Sequence, residues 1–376
     1  MAVRIPSLTG VRTIAAGAVC LTHAAFWTGN YTDDFVGRLF SRFEIGVAIF
    51  FVLSGFLLFG PWVRALADGR ADPPIGRYFW HRARRILPAY WIVVIAVYAL
   101  FLVYTPPDAD PAVGSGWSGF LRSMTLTQVY GLGHLHAGLT QMWSLAAEVV
   151  FYLVLPVIGW AVTVLVCRRR WRPDLLLITL GLLMTVSPIW SVVVAGSTGI
   201  SPTARLWAPA FFGWFVAGMI LAVCVHLIRR WPATPSVTIA VAAFVVSGTA
   251  LAGEPTITPT TAGATIVKHL LYIVVAVGLI GPLAVAGSSG TTDWWSRFCG
   301  STPMVWFGEI SYEFFLVHVI VLEVVMDVVG YRLFTGSWIV AFLVTTLVST
   351  PLAWALHRST APLWRAEPRS EVRTRR

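Results

Sequence analysis

Long apolar runs recur along this chain, each close to the roughly 20 residues a helix needs to cross a bilayer. They fall at 10–28, 43–63, 87–104, 142–166, 174–194, 206–228, 236–252, 264–287, 304–326 and 335–357. The pattern predicts an all-α fold, a polytopic transmembrane bundle of about ten spans occupying residues 1–357. Several runs contain Gly or Ser, which bilayer helices tolerate where they pack closely. The seventh and eighth runs have the least distinct ends, because Lys268 sits just inside an apolar stretch.

Three polar segments interrupt the pattern. The first, 64–86, reads as a loop ending in FWHRARRILP. The second, 105–141, is too long for a structureless connection. Within it Trp117, Phe120, Leu121 and Met124 follow the i, i+3, i+4, i+7 spacing of an amphipathic helix, expected to lie on the outer surface. The third, 358–376, is rich in Arg and Pro and is expected to form a disordered tail held near anionic lipid.

Charge fixes the expected orientation. With the N-terminus inside, 21 of the 27 basic residues fall on the cytoplasmic side, and both termini are cytoplasmic. This positive-inside asymmetry favours an even number of spans in an inner (plasma) membrane. It also accounts for the net charge of +10 without nucleic acid. Overall, 57% of residues are hydrophobic and 12% charged, about half the charged fraction of a soluble domain. The first run superficially resembles a signal peptide, with Ala24 and Ala25 as small residues after it, but it is expected to be retained. Cys20, Cys167, Cys224 and Cys299 have neither zinc spacing nor an outer-loop position suited to a disulfide, and read as packing residues.

Ionisable groups inside a bilayer are costly, so each needs a reason. His23, Glu148, Glu309, Glu313 and His318 stand out. Counted from the outer ends of their spans at roughly 1.5 Å per residue, His23, Glu148 and His318 lie at comparable depth, which predicts a shared polar cavity. Arg12 and His23 are separated by eleven residues. That spacing places both on one face of the first helix, about 16 Å apart. A histidine at that depth can act as a general base towards a hydroxyl near neutral pH. The cluster His81, Arg82, Arg84 and Arg85, interleaved with Phe79 and Trp80, has two readings. One is topogenic charge; the other is a phosphate site, since guanidinium groups bind phosphate through planar paired hydrogen bonds. His134 and His136 have spacing compatible with a metal, but no ligand constellation surrounds them and no metal is expected.

Five segments, in order, resemble acyltransferase family 3, the membrane O-acyltransferases that use acyl-CoA to modify envelope glycans and lipids. SLTGVRTIAAGAVCLTH is similar to the family's opening segment, with its Arg–His spacing at Arg12 and His23. IGVAIFFVLSGFLL, with Ser54, resembles the second helix, and FWHRARRILPAYW the Arg-rich stretch before the third, where an Arg-x-Arg pair maps onto Arg82 and Arg84 beside Arg85. MWSLAAEVVFYLVLP carries Trp143, Ser144, Glu148 and Tyr152, and ISYEFFLVH carries Ser311, Tyr312 and His318. The chain departs from the family pattern at Thr9, Ala48 and Phe315.

The resemblance implies an enzyme that moves an acyl group, acetyl in the first instance, from cytoplasmic acyl-CoA to a hydroxyl of an envelope glycan or glycolipid. Arg12, Arg82, Arg84 and Arg85 are expected to bind the acyl-CoA. His23 and Glu148 are expected to be catalytic, with Glu148 orienting or charge-balancing His23. His23 acts either as base or as a covalent acyl carrier. The Arg-, Ala- and Trp-rich composition suggests a GC-rich genome, which places a mycolyl-trehalose lipid among the candidate acceptors. The alternative is a multi-pass transporter or flippase of a glycolipid or small solute, using the intramembrane acids as a proton relay. Transporters of that kind show matched repeats, and none is evident here.

Overall fold

Every expected span corresponds to helix. A computed structural model describes residues 5–365 apart from 111, 132, 257–260 and 291, and among the described residues there is no strand. The helices are α1 (Pro6–Trp27), α2 (Phe35–Arg42), α3 (Ile45–Ala67), α4 (Ile75–Leu100), α5 (Gly116–Met124), α6 (Trp143–Trp160) and α7 (Pro173–Met184). They continue with α8 (Val186–Gly196), α9 (Ala208–Cys224), α10 (Ala233–Ser247), α11 (Ala262–Ser289), α12 (Trp294–Cys299), α13 (Thr302–Val329) and α14 (Trp338–Arg365). Seven segments are long and apolar enough to cross a membrane, counting α2–α3 and α7–α8 as one each. The helices α1 and α13 are not among the seven, and they carry ionisable groups of the expected site: Arg12 and His23 in α1, Glu309, Glu313 and His318 in α13. The protein is a multi-pass membrane protein.

Two boundaries differ from the sequence expectation for definable reasons. The basic stretch expected as loop 64–86 is mostly helix: α4 begins at Ile75 and includes FWHRARRILP, leaving 68–74 as the connection. Arginine is a good helix former, and Tyr78, Arg82, Arg85, Ile86, Ala89 and Val93 form an inward stripe at helical spacing. The last helix runs to Arg365, eight residues beyond the expected end of the tenth span. The remainder of the expected tail, 366–376, lies outside the described residues.

The fifth expected span is two helices meeting at Thr185. Pro188 explains the break: it has no N–H, and its ring conflicts with the carbonyl four residues back, at Met184. The expected outer amphipathic helix is α5. Its Phe120 and Met124 pack towards the core, while Trp117 is 73% exposed and Leu121 is also exposed. The segment is anchored from below: Tyr90 donates to the Ser123 carbonyl and Tyr98 to the Gly114 carbonyl. Glu323 of α13 accepts from the Gly138 N–H at 2.8 Å.

α1 lies at the centre, packed against α13 and α3, while α3 packs on α9 and α13 on α14. These crossings are close because of glycine. A Cβ on Gly55 would stand 2.0 Å from the Phe215 carbonyl oxygen of α9, and one on Gly46 would stand 2.1 Å from that of Ala15 in α1. Phe215 is stacked between Phe51 (4.3 Å) and Phe151 (3.9 Å), fixing α3, α9 and α6 to one another. The faces of α4, α7, α8 and α14 that point outward are apolar, as expected for surfaces that meet lipid.

Candidate active site

The expected polar residues divide into two adjoining groups. The first lines a central cavity of about 120 Å³ between α1, α3, α4, α6 and α13. Arg12, Ser54, Arg82, Arg85, Ser144, Glu148, Tyr152, Ser311 and Tyr312 all reach it, so residues spread over 301 positions of the chain converge. Glu148 accepts hydrogen bonds from Ser54 Oγ at 2.6 Å and from the Tyr152 hydroxyl, one helical turn away, both on Oε1. Arg12 and Arg82 act on this carboxylate electrostatically. Among the described residues neither guanidinium makes a hydrogen bond or ion pair, so both fork-shaped donor sets are available to a ligand.

Arg85 is held differently. Its Nη1 donates to Glu313 Oε1 at 2.8 Å, and Glu313, fully buried, also meets His357 of α14 at 3.1 Å. The Arg85 guanidinium lies over Trp364 at 4.4 Å and Tyr312 at 5.4 Å from the ring centroids, and the Tyr312 hydroxyl donates to the Ile86 carbonyl. Glu313 stood out in the sequence as an unexplained intramembrane acid; His357 gave no signal as the last residue of the tenth expected span, and Trp364 gave none because it lies in the expected disordered tail.

Arg84 is a correction. It lines neither the central cavity nor the larger one beside it, and sits over Trp80 at 5.2 Å. The cause is the continuity of α4: positions i and i+2 on a helix point about 200° apart, whereas Arg82 and Arg85, at i and i+3, share a face. The Arg-x-Arg pair therefore places one arginine inward and the other outward.

The second group is a histidine pair. His23 Nδ1 lies 2.9 Å from His318 Nε2. The hydrogen bonds determine the tautomers. His318 Nδ1 lies 2.8 Å from the Phe315 carbonyl, which can only accept, so Nδ1 carries the hydrogen. Nε2 of neutral His318 is then the acceptor, and His23 donates to it from Nδ1. That leaves the lone pair of His23 on Nε2. A histidine oriented through one nitrogen and open at the other is the arrangement of a general base. The expected pairing of His23 with Glu148 is corrected accordingly: His318 orients His23, and Glu148 belongs to the network of Ser54 and Tyr152. Phe315 lines the central cavity and touches the His318 ring, with centroids 5.7 Å apart, so the pair stands one turn along α13 from the cavity wall.

Two larger cavities flank this centre at opposite ends of the bundle. One, about 480 Å³, opens among the N-terminal ends of α1 and α13 and the C-terminal ends of α3, α9 and α14. Arg12 and Arg85 line both it and the central cavity, and Arg64 and His226 add to its basic lining. The other, about 580 Å³, lies at the opposite end, between α3, α6, α8, α9 and α11, and shares Val47 with the centre. Trp143, expected beside Ser144 in a supporting role, faces that cavity and packs on Phe211 at 4.9 Å.

The profile of an acyltransferase domain family, acyltransferase 3, matches residues 5–358. The chain belongs to acyltransferase family 3. Among curated relatives, the acyltransferase MdmB of Streptomyces mycarofaciens is 27% identical over 352 residues, covering 89% of this chain and 82% of the relative. The peptidoglycan O-acetyltransferase OatA of Listeria monocytogenes is 25% identical over 346 residues, 84% of this chain but 49% of its own length. The exopolysaccharide production protein ExoZ of Rhizobium meliloti is 30% identical over 138 residues, 36% of this chain and 37% of the relative. No solved structure matches. The match covers nearly the whole helical bundle, including the central cavity and the histidine pair, and stops short of the last turns of α14. Among the described residues no cluster of His, Cys, Asp or Glu has the makings of a metal site; His136 instead packs its ring against Tyr98 and Phe101.

Proposed function

We propose that the protein is an O-acyltransferase that takes an acyl group, acetyl in the first instance, from acyl-CoA at the N-terminal end of the bundle. It delivers the group to a hydroxyl of an envelope glycan or glycolipid arriving from the opposite end. The observation that carries this reading is the chain of three cavities, a basic chamber, a narrow polar centre and an aromatic chamber, with the histidine pair one turn of α13 from the centre. The excess of basic residues on the segments that border the N-terminal end supports a cytoplasmic location for that end, in an inner membrane.

The donor-side residues fit an anionic, elongated substrate. Arg12 and Arg82 offer unengaged paired donors, and a desolvated guanidinium attracts phosphate strongly. The 480 Å³ chamber has room for the bulky phosphorylated part, while the 120 Å³ centre admits only a narrow arm. The donor supplies a thioester carbonyl, whose C–S bond breaks as the acceptor oxygen bonds to the acyl carbon. His23 takes the acceptor hydroxyl's proton on Nε2 and passes it to the departing CoA thiolate, which leaves as the free thiol. His318 keeps the ring oriented and continues to accept from Nδ1–H while His23 carries positive charge, the part a carboxylate plays in a serine-protease triad. Glu148 balances Arg12 and Arg82 and, with Ser54 and Tyr152, keeps the central wall polar.

The test is transfer of labelled acetyl from acetyl-CoA to envelope material by protein in lipid nanodiscs. His23→Ala is expected to lower the rate by about 10²–10⁴ with unchanged thermal stability. Transfer within a few-fold of the unmodified protein would remove His23 from the reaction.

A further inference from the structure

The chamber distal to the N-terminus has the composition of a saccharide site and a side exit suited to a lipid chain. Trp143, Trp190 and Trp214 present aromatic surface within it, and Glu44, Lys268 and His269 add polar groups. The faces of aromatic rings are electron-rich, so they attract the weakly positive C–H face of a pyranose. Glu44 Oε1 accepts from Lys268 Nζ at 2.7 Å and from the Tyr272 hydroxyl at 3.1 Å, which holds the carboxylate in place. The Glu44 side chain is nevertheless 41% exposed, leaving acceptor capacity directed at the cavity. A held ionic pair beside indole faces suits a polyhydroxylated ring. A purely aliphatic occupant gains nothing from it and leaves the exposed part of the Glu44 carboxylate without a donor.

A second cavity, about 220 Å³, adjoins this one and shares Ser191, Trp214 and His269 with it. It is almost wholly apolar, bounded by Met184, Pro188, Leu270 and Ile273 in the cleft between α7–α8 and α11. The α7–α8 unit is the least buried of the apolar spans, so the cleft borders lipid. Thr185, where α7 meets α8, and Pro188 both line this cleft.

We propose that the two cavities form one head-and-tail site for a lipid-linked saccharide. The sugar sits against Trp190 and Trp143 beside the Glu44–Lys268 pair, and its alkyl chain leaves into the bilayer between α7–α8 and α11. The site rests on the acyl-transfer reading, and names its acceptor as a membrane-borne sugar rather than a free polymer. The shared residue Val47 and the neighbours Trp143 and Ser144 connect the head site to the central cavity, whose Phe315 touches His318, the hydrogen-bond partner of His23.

Binding is measured without any donor, by saturation-transfer NMR on protein in nanodiscs. The probes are methyl and octyl glycosides of glucose, galactose, mannose and N-acetylglucosamine. Ring protons of at least one sugar are expected to receive saturation. Trp190→Ala should weaken that sugar about fivefold or more in both forms, and Trp190→Phe should restore most of it, because the ring face is retained. Gly181→Phe fills the apolar cleft, and nothing lies within 4 Å of the Cβ it introduces. It should weaken the octyl form about fivefold and leave the methyl form unchanged. The proposal is overturned if no ring protons respond, if only the alkyl protons respond, if Trp190→Ala has no effect, or if Gly181→Phe affects both forms or neither. A protein that binds the glycoside in this way but transfers no acetyl overturns the acyl-transfer reading and leaves the site standing.

Discussion

The donor site can be tested by separating two arginines that are close in sequence and opposed in space. Arg82 lines the central cavity with its guanidinium unpaired, whereas Arg84 lies over Trp80 outside it. A charge-assisted hydrogen bond is worth about 1.5–3 kcal/mol, and 1.4 kcal/mol is tenfold in affinity. If Arg82 makes one such bond to the donor, Arg82→Ala should raise the Kd for a non-hydrolysable acetyl-CoA analogue by about 10- to 150-fold. Arg84→Ala removes a cation–π contact worth about 0.5–1 kcal/mol at an exposed site and should leave the Kd within about twofold, since that energy belongs to the free and bound protein alike. Arg82→Lys should recover part of the loss, because it keeps the charge without the planar fork.

Titration by calorimetry in nanodiscs, repeated at low and high salt, reads all three variants. The Arg82 effect should shrink with salt less than a surface ion pair would, since the cavity is partly desolvated. A purely topogenic role for the cluster makes the opposite prediction: correctly inserted Arg82→Ala protein would bind the analogue normally. Equal weakening by Arg82→Ala and Arg84→Ala would refute the helical argument that splits the pair.

The remaining predictions draw on separate parts of the molecule. His318→Gln, whose side-chain oxygen can still accept from His23 Nδ1, should retain more kcat than His318→Leu at similar KM; equal losses would deny His318 an orienting role. Gly55→Leu should lower thermal stability markedly, because even its Cβ meets the Phe215 carbonyl at 2.0 Å, and overpacking of this kind costs about 1–3 kcal/mol or more; an unchanged melting temperature would contradict the tight α3–α9 crossing. Burial lowers the pKa of His136, in the segment between α4 and α6, below its ordinary 6.5. The unfolded chain therefore binds the extra proton first, and stability should fall as pH drops from about 6.5 towards the lowered folded value. His136→Phe should flatten that dependence in pH-resolved melting curves. In a cysteine-free background, Asp110→Cys should label from outside with an impermeant reagent and Asp72→Cys should not; reversed labelling would invert the proposed orientation.

The ten apolar runs were legible because bilayer crossing imposes both length and composition, and each run meets a helix. So was α5, from four residues at helical spacing. The basic run before the third span was misread as loop because its charge suggested solvent, when its inward face of Tyr78, Arg82 and Arg85 was already at helical spacing. Convergence was legible only as depth: His23, Glu148 and His318 counted to one level, but counting along separate helices gives no rotation about their axes. That missing rotation decides whether His23 meets Glu148 or His318. The far chamber escaped notice for a related reason, since Trp143, Trp190 and Trp214 come from three helices and resemble interfacial aromatics when read singly.

The position of the site within the bundle follows from its polarity. α1 and α13 hold the histidine pair and also Arg12, Glu309 and Glu313, and they are not among the segments apolar enough to cross lipid by composition. Such helices are stable in a membrane only when other helices enclose them. Here α3 and α14 both pack on α1, and α14 packs on α13. The most polar helices are thereby driven to the centre, where their ionisable groups meet one another instead of lipid. Glu313 illustrates the consequence. It is fully buried and held by Arg85 and His357, so Arg85→Ala would leave a buried carboxylate with half its partners and confound folding with donor binding. Arg85→Ala combined with Glu313→Gln removes that complication. If Arg85 binds the donor directly, the double variant should fold normally and still bind the acetyl-CoA analogue weakly. Restored affinity in the double variant would assign Arg85 a structural role only.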